Sequence, residues 1–405
     1  MRVLLICYVY PPEVAPAGVM TRELAEDLAA AGHDVTVLTG WPNYPQGKLF
    51  PGWRRRFRSL QQEGGYRVLR VWHTLPRRSS FVSRVLWFAA FAMSSFLNIL
   101  ISRKFDVVYS HTTPLAGPVM TWLACRLKGM TFLYGIYDLY PEAAAEVGVV
   151  RRGLAYRFFR GLDTWVCRRA HSIPTLGPGI QEALVARGIP REKIPIIPFW
   201  IDAAKVRPLD RDNPWRREHG IALDKFIVLY AGTMGHVSGA AMMAEVAAKL
   251  RDVPNLLFLF VGEGVAKDQT LRRCEELGLT NTLFLPFQPQ ERLGEVLSSA
   301  DIGVVTLRPG ASRNSLPSKV LGYLAAGRAV VASVDDNSDT AECIRQGNCG
   351  RVAPAQDAEA MAETIQKMMA PGLATRYGLA AREYFLRHYS RQAAVGDFMK
   401  LMERL

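Results

Sequence analysis

Residues Leu316–Val334 read LPSKVLGYLAAGRAVVASV. A Pro-Ser-Lys turn opens an apolar run that closes on Gly327, and a second apolar run follows at once. Proline at the start and glycine at the end punctuate a helix. The spacing predicts a helix from Ser318, then a strand over Ala329–Val334. A helix feeding a buried strand is half of a βαβ unit.

Reading outward, the pattern repeats. Strands are predicted at Phe226–Ala231, Leu256–Val261, Leu283–Phe287 and Ile302–Leu307. An earlier series runs Val3–Tyr10, Asp34–Thr39, Tyr66–Trp72, Asp106–His111, Thr131–Tyr137 and Ile173–Thr175. A proline-rich stretch, Pro190–Pro198, separates the two. Strands alternating with helix-length segments imply parallel sheets, and two series imply two Rossmann-like α/β domains facing across a cleft. The 405 residues exceed what one ordinary core accommodates. The expected division is 1–200, 201–375 and a helical segment 376–405 with no strand after it.

Hydrophobic residues make up 49% of the chain, enough for two cores, and the formal net charge is +13, which favours polyanionic partners. The six cysteines show no CxxC spacing and no nearby histidine pattern, as expected of reduced thiols in a cytosolic compartment. The N-terminal apolar run is strand-length and lacks a signal-peptide cleavage site. Basic residues cluster with aromatics: Trp53, Arg54, Arg55, Arg56, Phe57 and Arg58 follow Lys48 and Phe50, and Arg77, Arg78 and Arg84 come after. That mixture reads either as a solvated basic face or as a membrane contact, with rings at headgroup level and arginines on lipid phosphates. The membrane reading is preferred. No helix-turn-helix, RNA-recognition or zinc-finger pattern points to nucleic acid. Val85–Ile101 carries no charge and would span roughly 26 Å as a helix, short of a bilayer core of about 30 Å. It also falls where a crossover helix belongs, so a crossover helix is expected, with an apolar face free to meet a bilayer.

In open α/β sheets ligands bind beyond the carboxyl ends of the strands. There the chain places Gly18 before a helix, the turn Gly232-Thr233-Met234-Gly235-His236, and Gly262-Glu263-Gly264. Such glycines let backbone N–H groups approach phosphate; an ordinary βα turn uses them too. None forms GxGxxG, so a dinucleotide site is poorly supported. At Pro317-Ser318-Lys319, free N–H groups, a hydroxyl and an ammonium could converge on a diphosphate. Asp138 and Glu142 lie four apart after a strand, where one could take a proton from an acceptor hydroxyl, or where both could be a cap and a solvated acid. His111 also follows a strand. His33 reads as structural. Asp210-Arg211-Asp212 has a DxD form, but two carboxylates seldom hold a metal.

Several short motifs occur in order: Tyr10–Glu13 YPPE, Gly32–Thr39 GHDVTVLT, Trp41–Pro45 WPNYP, Asp138–Glu142 DLYPE, Leu229–Gly235 LYAGTMG, Val261–Gly264 VGEG, Thr282–Leu293 TLFLPFQPQERL, Ser299–Leu307 SADIGVVTL and Pro317–Gly327 PSKVLGYLAAG. With this order and spacing the chain resembles the retaining family 4 glycosyltransferases of the GT-B fold over nearly all its length, among them bacterial capsule, O-antigen and colanic-acid enzymes. The resemblance implies a nucleotide-sugar donor in the second domain, an acceptor in the first, a final helix crossing back to the first domain, and no cofactor or required metal. It implies that Ser318, Lys319 and Gly18 steady the donor diphosphate, with Gly232, Thr233 and Glu263 nearby, and that backbone groups near Pro286 and Phe287 meet the base. It makes Asp138 the leading catalytic candidate, supported by Glu142 and His111. The chain departs from the family pattern at Tyr137, a frequent histidine; at Gly322, a usual glutamate on the donor ribose; and at Ala329, a usual proline.

The function so implied is transfer of a sugar, from a UDP-linked donor, to a polyprenyl-diphosphate-linked acceptor. The enzyme would sit peripherally on the cytoplasmic face of the membrane, serving cell-surface polysaccharide synthesis. A degenerate binding or scaffold relative and a nucleotide-sugar 2-epimerase are the alternatives.

Overall fold

A computed structural model of the protein describes residues 1–13, 15–76, 81–112, 115–142, 145, 153–310 and 316–405. Arg77 and Arg78 of the basic cluster lie outside the described residues. The chain forms two units. The first comprises Met1–Leu176, Ile180–Ile197 and Val395–Leu405; the second comprises Gly177–Gly179 and Pro198–Ala394.

The first unit holds a sheet of β1 (Arg2–Ile6), β2 (Asp34–Thr39), β3 (Arg58–Glu63), β4 (Tyr66–Val71), β5 (Val107–His111) and β6 (Thr131–Gly135). Its order is β3-β4-β2-β1-β5-β6. Leu4 of β1 stands in parallel register with Thr36 of β2 and Val108 of β5. The buried runs of β1, β2 and β5 are those their apolar sequence predicts. The edge strand β3 was not expected. It pairs antiparallel with β4 through the two-residue Gly64-Gly65 turn, a composition suited to a tight hairpin. Its sequence RSLQQE is largely exposed and lacks an apolar run, so Arg58 belongs to a strand. Conversely, Ile173–Thr175 forms isolated bridges, Thr175 to Ile136 and Ile196, and no full strand.

The uncharged segment lies within a helix, Phe81–Ile101, that connects β4 to β5. It is long and apolar enough to cross a membrane by length and composition. It packs along the helix Ala116–Lys128 as a crossover element. Trp87, Phe91, Ala92 and Ile99 are buried, while Val82, Leu86, Met93, Leu97 and Ile101 face outward. The Lys128 ammonium donates to the carbonyls of Ile99, Leu100 and Ser102, satisfying acceptors left open at the helix end.

The second unit repeats the design with β7 (Phe226–Ala231), β8 (Leu256–Val261), β9 (Thr282–Leu285), β10 (Ile302–Thr306), β11 (Ala329–Ser333) and β12 (Gly350–Ala353). The order is β12-β11-β10-β7-β8-β9. Side chains alternate between two cores. Ile227, Leu229, Val305, Val330 and Ala332 enter one; Val228, Tyr230, Val304, Ala329 and Val331 enter the other. A parallel sheet covered on both faces needs that uninterrupted apolar sequence. The short β12 carries no such run and escaped the sequence reading. The segment expected as one helix from residue 376 is two, Leu373–His388 and Arg391–Glu403. The former packs on β11 in the second unit. The latter carries Phe398, which meets Tyr109 of β5 edge-on at 5.0 Å in the first unit.

In each sheet the central strand sends its chain neighbours to opposite sides, β1 between β2 and β5, and β7 between β8 and β10. Those are the switch points where open sheets bind ligands. At the second, the ring of Tyr323 lies on Gly303 of β10, and a methyl at residue 303 would overlap the ring. Gly303→Ala is expected to lower unfolding free energy by about 1–3 kcal/mol through overpacking; a urea titration that leaves the midpoint unchanged would show the ring is not fixed there.

Candidate active site

In the second unit, the turns after β7 and β8 are laced together by backbone bonds. Gly232 N–H donates to Val261 O at 2.8 Å, Met234 N–H to Glu263 O at 2.9 Å, and Ala266 N–H to Met234 O at 3.0 Å. Glycine is required at this contact, because a side chain on Gly262 or Gly264 would collide with the carbonyls of Gly232 or Met234. Both also have left-handed φ, +153° and +145°.

The helix Ser318–Ala325 lies across these turns. Tyr323 fixes it, accepting the Ala231 N–H at 2.8 Å and donating to Leu229 O at 2.9 Å. This anchoring carries Lys319 over the first turn. Its Cε comes within 3.6 Å of where a Gly232 side chain would begin. Its ammonium sits 3.9 Å from the centroid of the Tyr230 ring, a cation–π contact. The Tyr230 hydroxyl in turn donates to Thr233 O at 3.3 Å. Among the described residues Lys319 has no carboxylate partner, and burial lowers its pKa to about 8. Ser318 is exposed at the helix start. Lys319, Ser318, Gly232 and Thr233 are thus brought together at the switch point. An uncompensated ammonium beside free helix N–H groups can hold an anion.

Other expected donor contacts differ. Glu263 accepts from Lys267 at 2.6 Å in an i,i+4 ion pair. Pro286 and Phe287 are exposed in the loop after β9, but the Pro286 carbonyl accepts from Gln288, whose side chain also takes the Trp215 indole N–H. Gly322 is buried, and a Cβ there would stand 3.3 Å from Leu297 Cδ1. A side chain at 322 would start toward Leu297, against packed core. In the DxD sequence, Asp212 pairs with Arg217, and Asp210 accepts the Asp212 N–H. Among the described residues no group of three or more His, Cys, Asp or Glu could hold a metal ion.

In the first unit, Asp138 and Glu142 follow β6 but have different environments. Glu142 takes Arg187 at 2.5 Å on one oxygen and Arg160 at 3.1 Å on the other. Arg187 also holds the buried Asp163, which accepts from Tyr134. Glu142 therefore belongs to a charge-paired clamp, each of its oxygens held by an arginine. The sequence could not show this because Arg187 lies far along the chain. Asp138 is exposed and has no partner among the described residues; partial desolvation by the surrounding chain raises its pKa above the ordinary carboxylate value. His111, at the end of β5, stacks on Tyr137 with centroids 5.0 Å apart and planes 8° apart. It is buried, and among the described residues neither ring nitrogen has a hydrogen-bond partner. Burial lowers its pKa to about 4, so the ring is neutral at physiological pH.

Gly18 serves packing. Its N–H donates to Ala15 O, and a Cβ would come within 2.5 Å of Val9 O, so the glycine admits the helix Pro16–Ala30 close to the turn after β1. Phosphate contact through its N–H is thereby lost. The sequence reading missed Glu13. This buried carboxylate accepts the N–H groups of Tyr10 at 3.0 Å and of Asn43 and Tyr44 at 2.7 Å, tying YPPE to WPNYP. Arg70, equally buried, donates to Gly40 O and Pro11 O and stacks on Trp53 at 4.6 Å. Trp53 also meets Trp41 edge-on, so it faces protein and is not an outward anchor. Arg55 donates to His73 O, while Arg54, Arg56, Phe57 and Arg58 are exposed.

Two successive parallel α/β sheets, each with a central switch point, are the architecture of the GT-B fold. Residues 17–200 match the glycosyl transferase 4-like domain and residues 211–384 match glycosyl transferases group 1. The chain belongs to the family 4 glycosyltransferases and is a glycosyltransferase. It is 28% identical to a protein named as the colanic acid biosynthesis glycosyl transferase WcaI of Escherichia coli K12, over 98% of this chain and 99% of that one. Its fold is similar to sucrose-phosphate synthase from Thermosynechococcus elongatus, with a TM-score of 0.72 at 18% identity over 100% of this chain and 98% of that one. It is also similar to Anabaena HepE in complex with UDP, with a TM-score of 0.72 at 12% identity over 100% of both.

Glu13→Ala would strand three N–H donors, those of Tyr10 and Asn43 buried and that of Tyr44 part-buried. The expected loss is about 3 kcal/mol or more of unfolding free energy, read by urea denaturation. A loss below about 1 kcal/mol would mean that water replaces the carboxylate.

Proposed function

We propose that the protein transfers a sugar, with retention of anomeric configuration, from a UDP-linked donor to a polyprenyl-diphosphate-linked acceptor. The reaction would take place at the cytoplasmic face of the membrane, in cell-surface polysaccharide synthesis. The observation that carries the donor half is the Lys319 ammonium, poised on Tyr230 over the glycine turns with no carboxylate of its own. The UDP complex of HepE supports a nucleoside diphosphate there. The name of the colanic-acid relative supports the polysaccharide setting.

In this reading the bond between the sugar's anomeric carbon and the diphosphate breaks, and a bond to the acceptor oxygen forms on the same face. Lys319 and the Ser318 end of its helix hold the departing diphosphate as negative charge grows on it. The acceptor hydroxyl gives up its proton, and Asp138, unpaired among the described residues and with its pKa raised by desolvation, takes it. His111, neutral and unpartnered, supplies a hydrogen bond to a sugar hydroxyl. Glu142 has no chemical role here; it holds the Asp138 segment in place through Arg187.

Two measurements test this. UDP affinity is expected to be steady below about pH 8 and to fall as pH rises above it. The sign follows from linkage. Bound diphosphate favours the charged lysine, so binding above the free-state pKa must take up a proton. The fall is at most about tenfold per pH unit. Lys319→Ala is expected to weaken UDP by about tenfold or more and to abolish that pH dependence; calorimetry showing an unchanged profile would remove Lys319 from the donor site. Separately, Asp138→Asn should lower kcat by about 100-fold or more with UDP affinity unchanged. Full turnover in that variant would exclude Asp138 as the base.

A further inference from the structure

The helix Leu154–Arg169, sequence LAYRFFRGLDTWVCRR, breaks several rules of helix chemistry at once. Its first two turns are scarcely buried. Leu154 is 84% exposed, Phe158 65% and Phe159 42%. Its N-cap is Gly153, with no side-chain cap, and no acidic residue lies in the first turn. Arg157 stands there instead, where the helix dipole disfavours a cation. Among the described residues, then, this helix start has no side-chain cap, large outward apolar side chains and a cation where the dipole disfavours one.

Beside it lies a surface cavity of about 550 Å³ whose lining, among the described residues, includes Arg157, Arg160, Arg168, Arg169 and Arg187 and no carboxylate-bearing residue. Arg160 and Arg187 are paired with Glu142. Arg169 is held on the faces of Trp165, at 4.0 Å, and Trp122, at 5.6 Å. Among the described residues none of Arg157, Arg168 and Arg169 has an acidic partner. The dipole explains Arg168 and Arg169 in the last turn, but not Arg157 in the first.

We propose that this helix and its arginine-lined cavity dock on the phosphates of anionic membrane lipids, with Leu154, Phe158 and Phe159 entering the acyl boundary. Every broken rule then has one remedy. Lipid phosphates supply the missing acceptors and negative charge at the helix start and the counter-charge for the unpaired arginines. The apolar side chains leave water. The segment Lys48–Arg58 fits less well, because Trp53 is turned onto Arg70 and Trp41 and Arg55 is bonded to His73 O. The proposal rests on the membrane setting of the proposed function, but its test does not depend on catalysis.

The full chain is sedimented with vesicles of phosphatidylcholine alone or mixed with phosphatidylglycerol. The wild type should bind the mixed vesicles and not the neutral ones. The double variant Arg157→Gln, Arg168→Gln should lower partitioning about thirtyfold, as expected for two basic residues at an anionic surface. Phe158→Ser should weaken binding at high salt most, where burial outweighs charge. Arg54→Gln, Arg56→Gln, the comparison variant, should retain most binding. UDP binding by every variant reports intact folding. Equal binding to neutral vesicles, unchanged partitioning of the Arg157/Arg168 variant, or an equal loss in the Arg54/Arg56 variant would each overturn the proposal. Absence of UDP binding by the wild type would instead overturn the donor reading and leave the docking result standing.

Discussion

The Tyr323 hydroxyl, bonded at once to the Ala231 N–H and the Leu229 carbonyl, is the constraint on which the placement of Lys319 in the second unit depends. It ties the helix Ser318–Ala325 to the last residues of β7, and the absent side chain of Gly303 makes room for the ring. Helix position then sets Lys319. One turn before the anchored tyrosine, the lysine projects over the Gly232 turn and onto Tyr230. The glycines at 262 and 264 bring the next turn close enough for backbone bonding. Sheet, helix and turns therefore position one ammonium that, among the described residues, has no carboxylate partner. A salt bridge would hold the side chain more firmly but would compete with the diphosphate, whereas an aromatic face attracts the cation and yields to an anion.

The first unit follows the same division of labour. Charges compensated inside the protein build the frame: Glu13 with three N–H groups, Arg70 with two carbonyls and an indole, and Glu142 and Asp163 with Arg187. Buried groups of this kind must be partnered, since a lone charge in such a place is costly. The groups left without a partner are the ones available for chemistry. Asp138 and His111 are such groups, and they stand at strand ends beside the framed loops.

This division explains what the sequence could show. Among the described residues, apolar runs announced ten of the twelve strands because parallel strands are covered on both faces. The edge strand β3, exposed and polar, and the four-residue β12 gave no such signal. Motif order located the switch points, so Lys319, Asp138 and His111 were legible as candidates. Which carboxylate was free was not legible. Asp138 and Glu142 look alike in DLYPE, and only a fold that brings Arg187 alongside tells them apart. Trp53 and Arg55 likewise read as surface groups until Arg70 and His73, on the neighbouring strand and its end, come beside them. The YPPE and WPNYP motifs had one hidden link, the Glu13 carboxylate, whose acceptor role could have been suspected from a lone acid in an apolar, proline-rich turn.

Gly322 has a comparable explanation. A glycine inside a helix costs roughly 1 kcal/mol relative to alanine, and in the family pattern a glutamate at this point would reach the donor ribose. Here Leu297 fills the space toward which a residue-322 side chain would grow, with Leu297 itself packed among Val320, Leu324 and Val296 in one continuous core. A side chain at 322 would need the Leu297 methyl to give way by a few tenths of an ångström. The glycine is therefore part of a repacked helix contact and leaves the Lys319 end of the helix intact. No carboxylate stands at this position, and the proposed diphosphate contact of Lys319 does not depend on one. In that proposal, diphosphate binding and ribose selectivity are separable.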